Sequence, residues 1–191
     1  MSTIYQDPID RSFDPSQQAS VWPSALKWGA IAGAVGCVLT LISYNLGYMD
    51  VTEDGELPGS GLMTFVSLLA YVGLMYVGLK GYRDGENGGF LTFGRGVLWS
   101  LGFGIASGVV AALFSLLFYG LLAPDYLADL YDTTVDQMDY DRMSEEEIAA
   151  TETMFGYTFS TPFMAATAFF SSLIMPLLIG LVLSLILRKD S

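Results

Sequence analysis

The sequence predicts an all-α integral membrane protein, a four-helix bundle with short amphipathic helices in the segment between spans three and four. Hydrophobic residues make up 52% of its 191 residues, yet the formal net charge is −12. The mean hydropathy is +0.48. A soluble domain of this size cannot hide so much apolar surface, so the apolar residues must be segregated, and they are. No charged residue occurs in 28–47, 61–79, 96–123 or 162–187. A helix rising ~1.5 Å per residue crosses a ~30 Å hydrocarbon core in about 20 residues. Each run is long enough, and the last two exceed the need, which implies tilt or protrusion into the interface. The basic residues add a direction. Arg11, Lys27, Lys80, Arg83, Arg95, Arg188 and Lys189 fall on one side of this plan and Arg142 alone on the other. An excess of Lys and Arg marks the cytoplasmic side, so both termini are expected there.

Residues 1–24 combine Asp, Pro, Ser and Gln with little periodicity, the composition of a cytoplasmic tail. Residues 25–189 form the four-span membrane domain. Span one is expected at about 26–47, with Trp22 and Trp28 suited to one interface and Tyr44 and Tyr48 to the other. Lys27 followed by an apolar run up to Cys37 has the outline of a lipoprotein signal. The run continues to Leu46 without a small-residue cleavage site, however, so Cys37 is better placed mid-span as a small apolar residue. Span two is expected at about 60–79. The stretch that follows, "GYRDGENGGFLTFGRG", is glycine-rich but has the spacing of neither a phosphate loop nor a dinucleotide fingerprint. Asn87-Gly88-Gly89 instead suits a turn back into the membrane. Phe90 and Phe93 are expected to anchor it at headgroup depth, with Arg95 at the surface.

Span three is expected at about 95–123 and span four at about 162–187. The acidic segment between them, 124–161, holds ten of the twenty carboxylates. Leu127, Leu130, Tyr131, Val135 and Met138 recur at helical spacing, with Asp129, Asp132, Asp136 and Asp139 largely between them. "SEEE" then offers a capping box, Ser144 as cap and Glu147 reaching back, ahead of a weaker stripe of Ile148, Ala149, Glu152 and Phe155. Two short amphipathic helices over the outer mouth of the bundle are expected. The spans themselves carry small residues four apart: Gly29, Gly33 and Cys37; Gly96, Ser100, Gly104, Gly108 and Ala112; Ala168, Ser172, Pro176, Gly180 and Ser184. Such stripes let helix backbones approach where no hydrophobic force draws apolar helices together. Packing within one bundle is favoured over a seam between copies. Pro176 removes a backbone donor and should bend span four.

The chemistry is bounded by what is missing. The chain has no His, which removes imidazole-based catalysis and metal ligation. The uncharged runs lack the ionisable groups that ion pathways and proton relays use. Thr64, Ser67, Tyr71, Tyr76, Ser107 and Ser115 are read as structural hydroxyls bonded to carbonyls of their own helices. A calcium loop fails as well, because Asp139 and Asp141 are followed by Met143 with no Gly. A solvated acidic face is the better reading of these charges.

With the spans placed, the chain resembles the bacterial membrane protein family catalogued as domain of unknown function 4199. The resemblance rests on "SALKWGAIAG" (24–33), "GGFLTFGRG" (88–96), "LAPDYLADL" (122–130), and "MSEEEIAATETMF" (143–155) ahead of "STPFMAA" (160–166). It covers roughly residues 20 to 189 and implies a four-span fold in a bacterial plasma (inner) membrane. It implies no activity. The expectation is a non-enzymatic, structural or partner-binding protein with no cofactor, no metal and no nucleic-acid partner. Its partners are the lipid bilayer and either a protein or further copies of itself, met through Asp129, Asp132, Asp136 and Asp139. The alternative is a small transporter or channel component acting as an oligomer, with acidic residues concentrating cations at its mouth.

Overall fold

The computed structural model describes residues 18–49, 60–136, 138 and 143–189. Six α-helices follow in order: α1 (Trp22–Asn45), α2 (Ser60–Gly81), α3 (Phe93–Leu117), α4 (Tyr126–Asp136), α5 (Glu145–Thr158) and α6 (Thr161–Ile186). Four of them, α1, α2, α3 and α6, are long and apolar enough to cross a membrane. Among the described residues no strand forms, only an isolated bridge between Leu91 and Lys189. The sequence-based plan of a four-helix bundle with two short helices between its third and fourth spans is the fold observed.

The boundaries differ in instructive ways. α1 begins at Trp22, so Trp22–Ser24 belong to the first span rather than to the tail. Pro23 sits in its first turn, where its fixed φ suits a helix and its missing N–H is no loss. The remainder of the tail reading, 1–17, lies outside the described residues, as does Asp139. α1 stops in a Schellman motif. Gly47, at φ 70°, sends its N–H to Tyr44 O at 3.1 Å, and Tyr48 reaches back to Ser43 O at 2.9 Å. Glycine takes this left-handed position without a steric penalty. Span two runs further than its apolar stretch alone indicates, because α2 continues into a π-helical turn, Tyr82–Glu86, whereas the π-helical turn after α3, Phe118–Leu122, lies within the apolar run of span three.

α3 is the hub. α1 and α6 both pack along it, whereas α2 leans on α1 and meets α3 and α6 only locally. Glycine explains the close approach. A Cβ on Gly104 would lie 2.8 Å from the carbonyl oxygen of Ser172. That carbonyl is the one whose helical partner would be the N–H of residue 176, and residue 176 is proline. Proline therefore frees an acceptor, and Gly104 lets the α3 backbone lie directly over it, where Cα–H···O contact offsets part of the loss. Gly108 backs on Phe169 O at 3.0 Å and Gly33 on Ser107 O at 3.1 Å, each measured from an added Cβ. Gly29 and Gly180 are closed in the same manner by Phe103 O and by the Ser100 side chain. The glycines of these stripes are thus consumed inside the chain.

Packing is uneven along the bundle axis. At the end bearing the chain termini, Val21, Ala25, Met75, Leu79, Tyr82, Trp99, Phe103 and Leu183 form a dense core. Trp99 stacks on Phe103 at 5.4 Å, and Tyr71 meets Phe103 edge-on at 5.3 Å. Trp28, expected at the interface, turns inward and faces the open side of Gly78. Within a bilayer this burial is sustained by dispersion and fit rather than by expulsion of water.

Gly104→Val is therefore expected to destabilise the bundle by about 1–3 kcal/mol, the usual cost of overpacking. Gly73, which has open space around an added Cβ, serves as control, and Gly73→Ala should leave stability unchanged or raise it by up to about 1 kcal/mol. Thermal unfolding in mild detergent measures both. Equal melting temperatures for the two variants would contradict the packing role of Gly104.

Candidate functional site

Three places in the fold bring polar chemistry together. The first is the α2–α3 turn. Gly88 and Gly89 adopt φ 65° and 90°, which reverses the chain, and the Asn87 side chain closes the loop by donating to Phe90 O at 2.6 Å. The turn is tied to both termini. Leu91 and Lys189 exchange backbone hydrogen bonds at 3.1 Å each way, and the Lys189 ammonium lies 6.0 Å from the centre of the Phe90 ring. Arg83 donates to Leu187 O at 3.3 Å and pairs with Asp84 at 2.6 Å. Tyr82, fully buried, donates its O–H to Ala19 O at 2.7 Å. Arg95 corrects the sequence-based expectation. It is half-buried, and it donates to both Ala19 O and the Tyr82 oxygen. Buried carbonyls ahead of α1 need donors, and this guanidinium supplies one. Phe93 is exposed and Phe90 half-buried.

The second place is the segment between α3 and α6. In α4, Leu127 is buried and Leu130, Tyr131 and Val135 are half-buried, whereas Asp129, Asp132 and Asp136 point outward. The aspartates of α4 thus share a solvent face, and among the described residues no ion pair joins them to a basic group. Among the described residues no three Asp, Glu or Cys side chains gather as a metal-binding group. α5 carries the capping box. Ser144 Oγ accepts the Glu147 N–H at 3.3 Å, and the Ser144 N–H donates to Glu147 Oε2 at 2.9 Å. That backbone bond first, and second the Ser144 hydroxyl donating to Glu147 Oε2 at 2.8 Å, hold the Glu147 carboxyl below its ordinary value. Ala149 and Glu152 do not form the stripe expected of them. Its half-buried positions are Ile148, Thr151, Phe155 and Thr158, and α5 buries no residue fully. Among the described residues, its ring contact runs through Phe155 to Phe159, which also meets Tyr131 of α4 at 6.1 Å.

The third place was not foreseen. In the half of the bundle away from the termini, α1, α2, α3 and α6 part to leave a chamber of about 290 Å³. Its wall includes Gly36, Cys37, Thr40, Ser67, Tyr71, Ser107, Ser115, Tyr119 and Ser172, with no charged residue. Thr40 and Ser107 do bond to carbonyls of their own helices, Gly36 O and Gly104 O, at 3.1 and 3.2 Å. Tyr71 instead reaches across to Ser107 Oγ at 3.1 Å. Ser67, Ser115, Ser172 and Tyr119 make no hydrogen bond to any described residue through their hydroxyls. The reading of Ser67 and Ser115 as self-satisfied hydroxyls is thereby corrected. The sequence signal was present in the i, i+4 pair Ser67 and Tyr71 and in the run Gly36, Cys37, Thr40, which place small and polar groups on one helix face. An aromatic cluster closes the far end: Tyr44 meets Phe118 at 5.2 Å and Tyr126 at 6.3 Å, and Tyr119 stacks on Tyr126 at 6.0 Å. Tyr126 is held by its O–H on Met49 O at 3.0 Å.

Residues 27–189 match a family described as "Protein of unknown function (DUF4199)". The chain belongs to this family. No curated protein and no solved structure matches it. Membership of DUF4199 brings no activity and no residue roles of its own.

Two outcomes follow from these sites. Tyr82→Phe should cost about 1 kcal/mol, the usual net value of one hydrogen bond, and should speed amide exchange next to Ala19. An unchanged melting temperature and exchange rate would mean that the tie is not formed. For α5, the folded-state pKa of Glu147 lies below its ordinary value of 4.5. The cap is therefore complete above that value and is lost as pH falls through the depressed one. Amide shifts of Ser144 and Glu147 followed through acid titration should show this step. Glu147→Gln keeps a capping side chain without a proton to gain and should abolish it.

Proposed function

We propose that the protein is a membrane-anchored interaction module without catalytic activity, and that its segment between α3 and α6 docks a soluble or membrane protein carrying a basic surface. The single observation behind this proposal is α5. It is a 14-residue helix with a complete N-terminal cap that buries none of its residues fully in its own chain. A helix this short is marginal alone, so one that is capped yet unburied suits a contact supplied from outside. Met154 and Tyr157 on it are 56% and 72% exposed, and Leu121 and Leu122 beside the end of α3 are 74% and 58% exposed. Apolar residues inside an acidic rim are the usual composition of a docking patch.

Charge supports the choice of partner. Ten of the twenty carboxylates fall in 124–161, against one basic residue, Arg142. A basic surface is steered to such a segment and a nucleic acid is repelled by it. The distribution of Lys and Arg favours a plasma-membrane orientation with both termini in the cytoplasm, which places this segment on the opposite side. The uncharged interior of the four spans argues against ion transport through a single copy.

Photo-crosslinking from Tyr157 in native membranes should capture one dominant neighbour. Replacing Asp129, Asp132 and Asp136 together by Asn should weaken that capture roughly three- to hundred-fold, from three exposed pairs of about 0.2–1 kcal/mol each. Molar salt should weaken it similarly. Capture of the same neighbours at the same yield by wild type and triple variant would refute the acidic docking surface.

A further inference from the structure

We propose that the chamber in the far half of the bundle is a binding site for an uncharged, single-chain amphiphile drawn from the bilayer, with its apolar chain in the groove between α2 and α6 and a neutral hydroxyl or carbonyl head inside. This site is separate from the docking segment and does not depend on it.

Protein interiors rarely keep voids larger than a water molecule. Here a space of about 290 Å³ is kept by small side chains and by glycine: an added Cβ on Gly36 would meet no atom within 4 Å. Small residues elsewhere in the same helices are spent on close contact. At Gly36 they are spent on emptiness. The chamber also continues into a second space of about 330 Å³, lined almost wholly by apolar groups from α1, α2 and α6. The two share Ala32, Gly36, Ser67, Tyr71 and Ser172. Together they are within the size of ordinary ligand sites, roughly 300–1,000 Å³. The loose seating of α2, which meets α6 only locally, leaves this groove facing the surrounding lipid.

The chemistry of the wall selects the head. Ser115 is 9% exposed, and its hydroxyl has no partner among the described residues. Ser67, Ser172 and Tyr119 add three more unpartnered hydroxyls. Ser67, Ser172 and Tyr119 are half-buried, so these hydroxyls are open to the chamber, and a ligand hydroxyl or carbonyl can bond them. A carboxylate or phosphate would enter a region with no Lys or Arg in its wall, where a bare charge is strongly disfavoured. Tyr44, Phe118, Tyr119 and Tyr126 cluster at the far end of the chamber, and the proposed route runs from the bilayer through the apolar groove. The π-helical turn Phe118–Leu122 sets two of these aromatic rings at the chamber, and such turns are common at ligand sites.

The test uses the full chain in nanodiscs of zwitterionic lipid and three photoreactive probes of equal length: a primary alcohol, the matching carboxylate and a headless alkane. The alcohol should label α1, α2 and α6 around Gly36 and Ser172, be displaced by unlabelled alcohol, and label at least about tenfold more than the carboxylate. Ser115→Ala combined with Ser172→Ala should lower alcohol labelling about three- to tenfold without affecting the alkane. Gly36→Leu, which fills the space, should abolish it. Circular dichroism and melting temperature establish that each variant is folded, and the comparison among probes on wild type stands without any variant. Equal labelling by alcohol and carboxylate, equal labelling by alcohol and alkane, or labelling confined to outward residues such as Leu113 and Leu185 would each overturn the proposal. So would undiminished labelling in folded Gly36→Leu.

Discussion

The structure depends on backbone-to-backbone approach between α3 and its two neighbours. Apolar helices in lipid gain little from hiding apolar surface, because the lipid is as apolar as they are. What holds them is fit, and fit is sharpest where a glycine lets one backbone lie on another. Gly104 over Ser172 O and Gly108 over Phe169 O fix α6 against α3, and Gly29 and Gly33 fix α1 on another face of the same helix. Pro176 belongs to this scheme, because the acceptor it frees faces the glycine that can approach it.

From a hub with two tightly held partners follows a third that is loosely held. α2 has few small residues facing α3, and much of its surface looks outward: Leu62, Phe65 and Leu69 are 63%, 57% and 56% exposed. It is secured at the end bearing the termini, through Met75, Leu79 and Tyr82 in the core and through the tie of Tyr82 and Arg95 to Ala19. Toward its other end, no comparable core or tie forms among the described residues. A helix clamped at one end and free at the other opens a wedge, and the chamber and its groove occupy that wedge. The dense half and the hollow half are consequences of one arrangement.

Much of the fold was legible because its cause is simple and repeated. Twenty-odd uncharged residues cannot do much other than span, and small residues four apart announce close packing. The capping box of α5 was equally plain, since Ser144 and Glu147 contact each other locally. What escaped detection was set by tertiary context. Arg95 read as a surface charge because its acceptors, Ala19 O and the Tyr82 oxygen, come from distant chain segments. The bridge from Leu91 to Lys189 pairs residues almost a hundred positions apart and has no local signature. The hydroxyls of Ser67 and Ser115 looked self-satisfied, since serine in a helix normally bonds the preceding turn, and Ser172 read only as a small packing residue. Only the geometry shows that they do not, and that one void brings them together.

The charges and hydroxyls divide the molecule by the kind of partner each part can accept. At the end bearing the termini, basic groups are absorbed by the chain's own carbonyls and rings, as with Arg83, Arg95 and Lys189. They stabilise a closed knot and leave little to offer. At the opposite end, Asp129, Asp132 and Asp136 are exposed, and the helices that bear the carboxylates bury little. Between these ends the interior is neutral, so any partner it takes must be neutral as well. Tyr126 joins the two outward-looking parts: it begins α4, its ring stacks on Tyr119 in the chamber wall, and its O–H holds the end of α1 at Met49. The start of α4 is thus seated against the chamber wall through the stacking of Tyr126 on Tyr119.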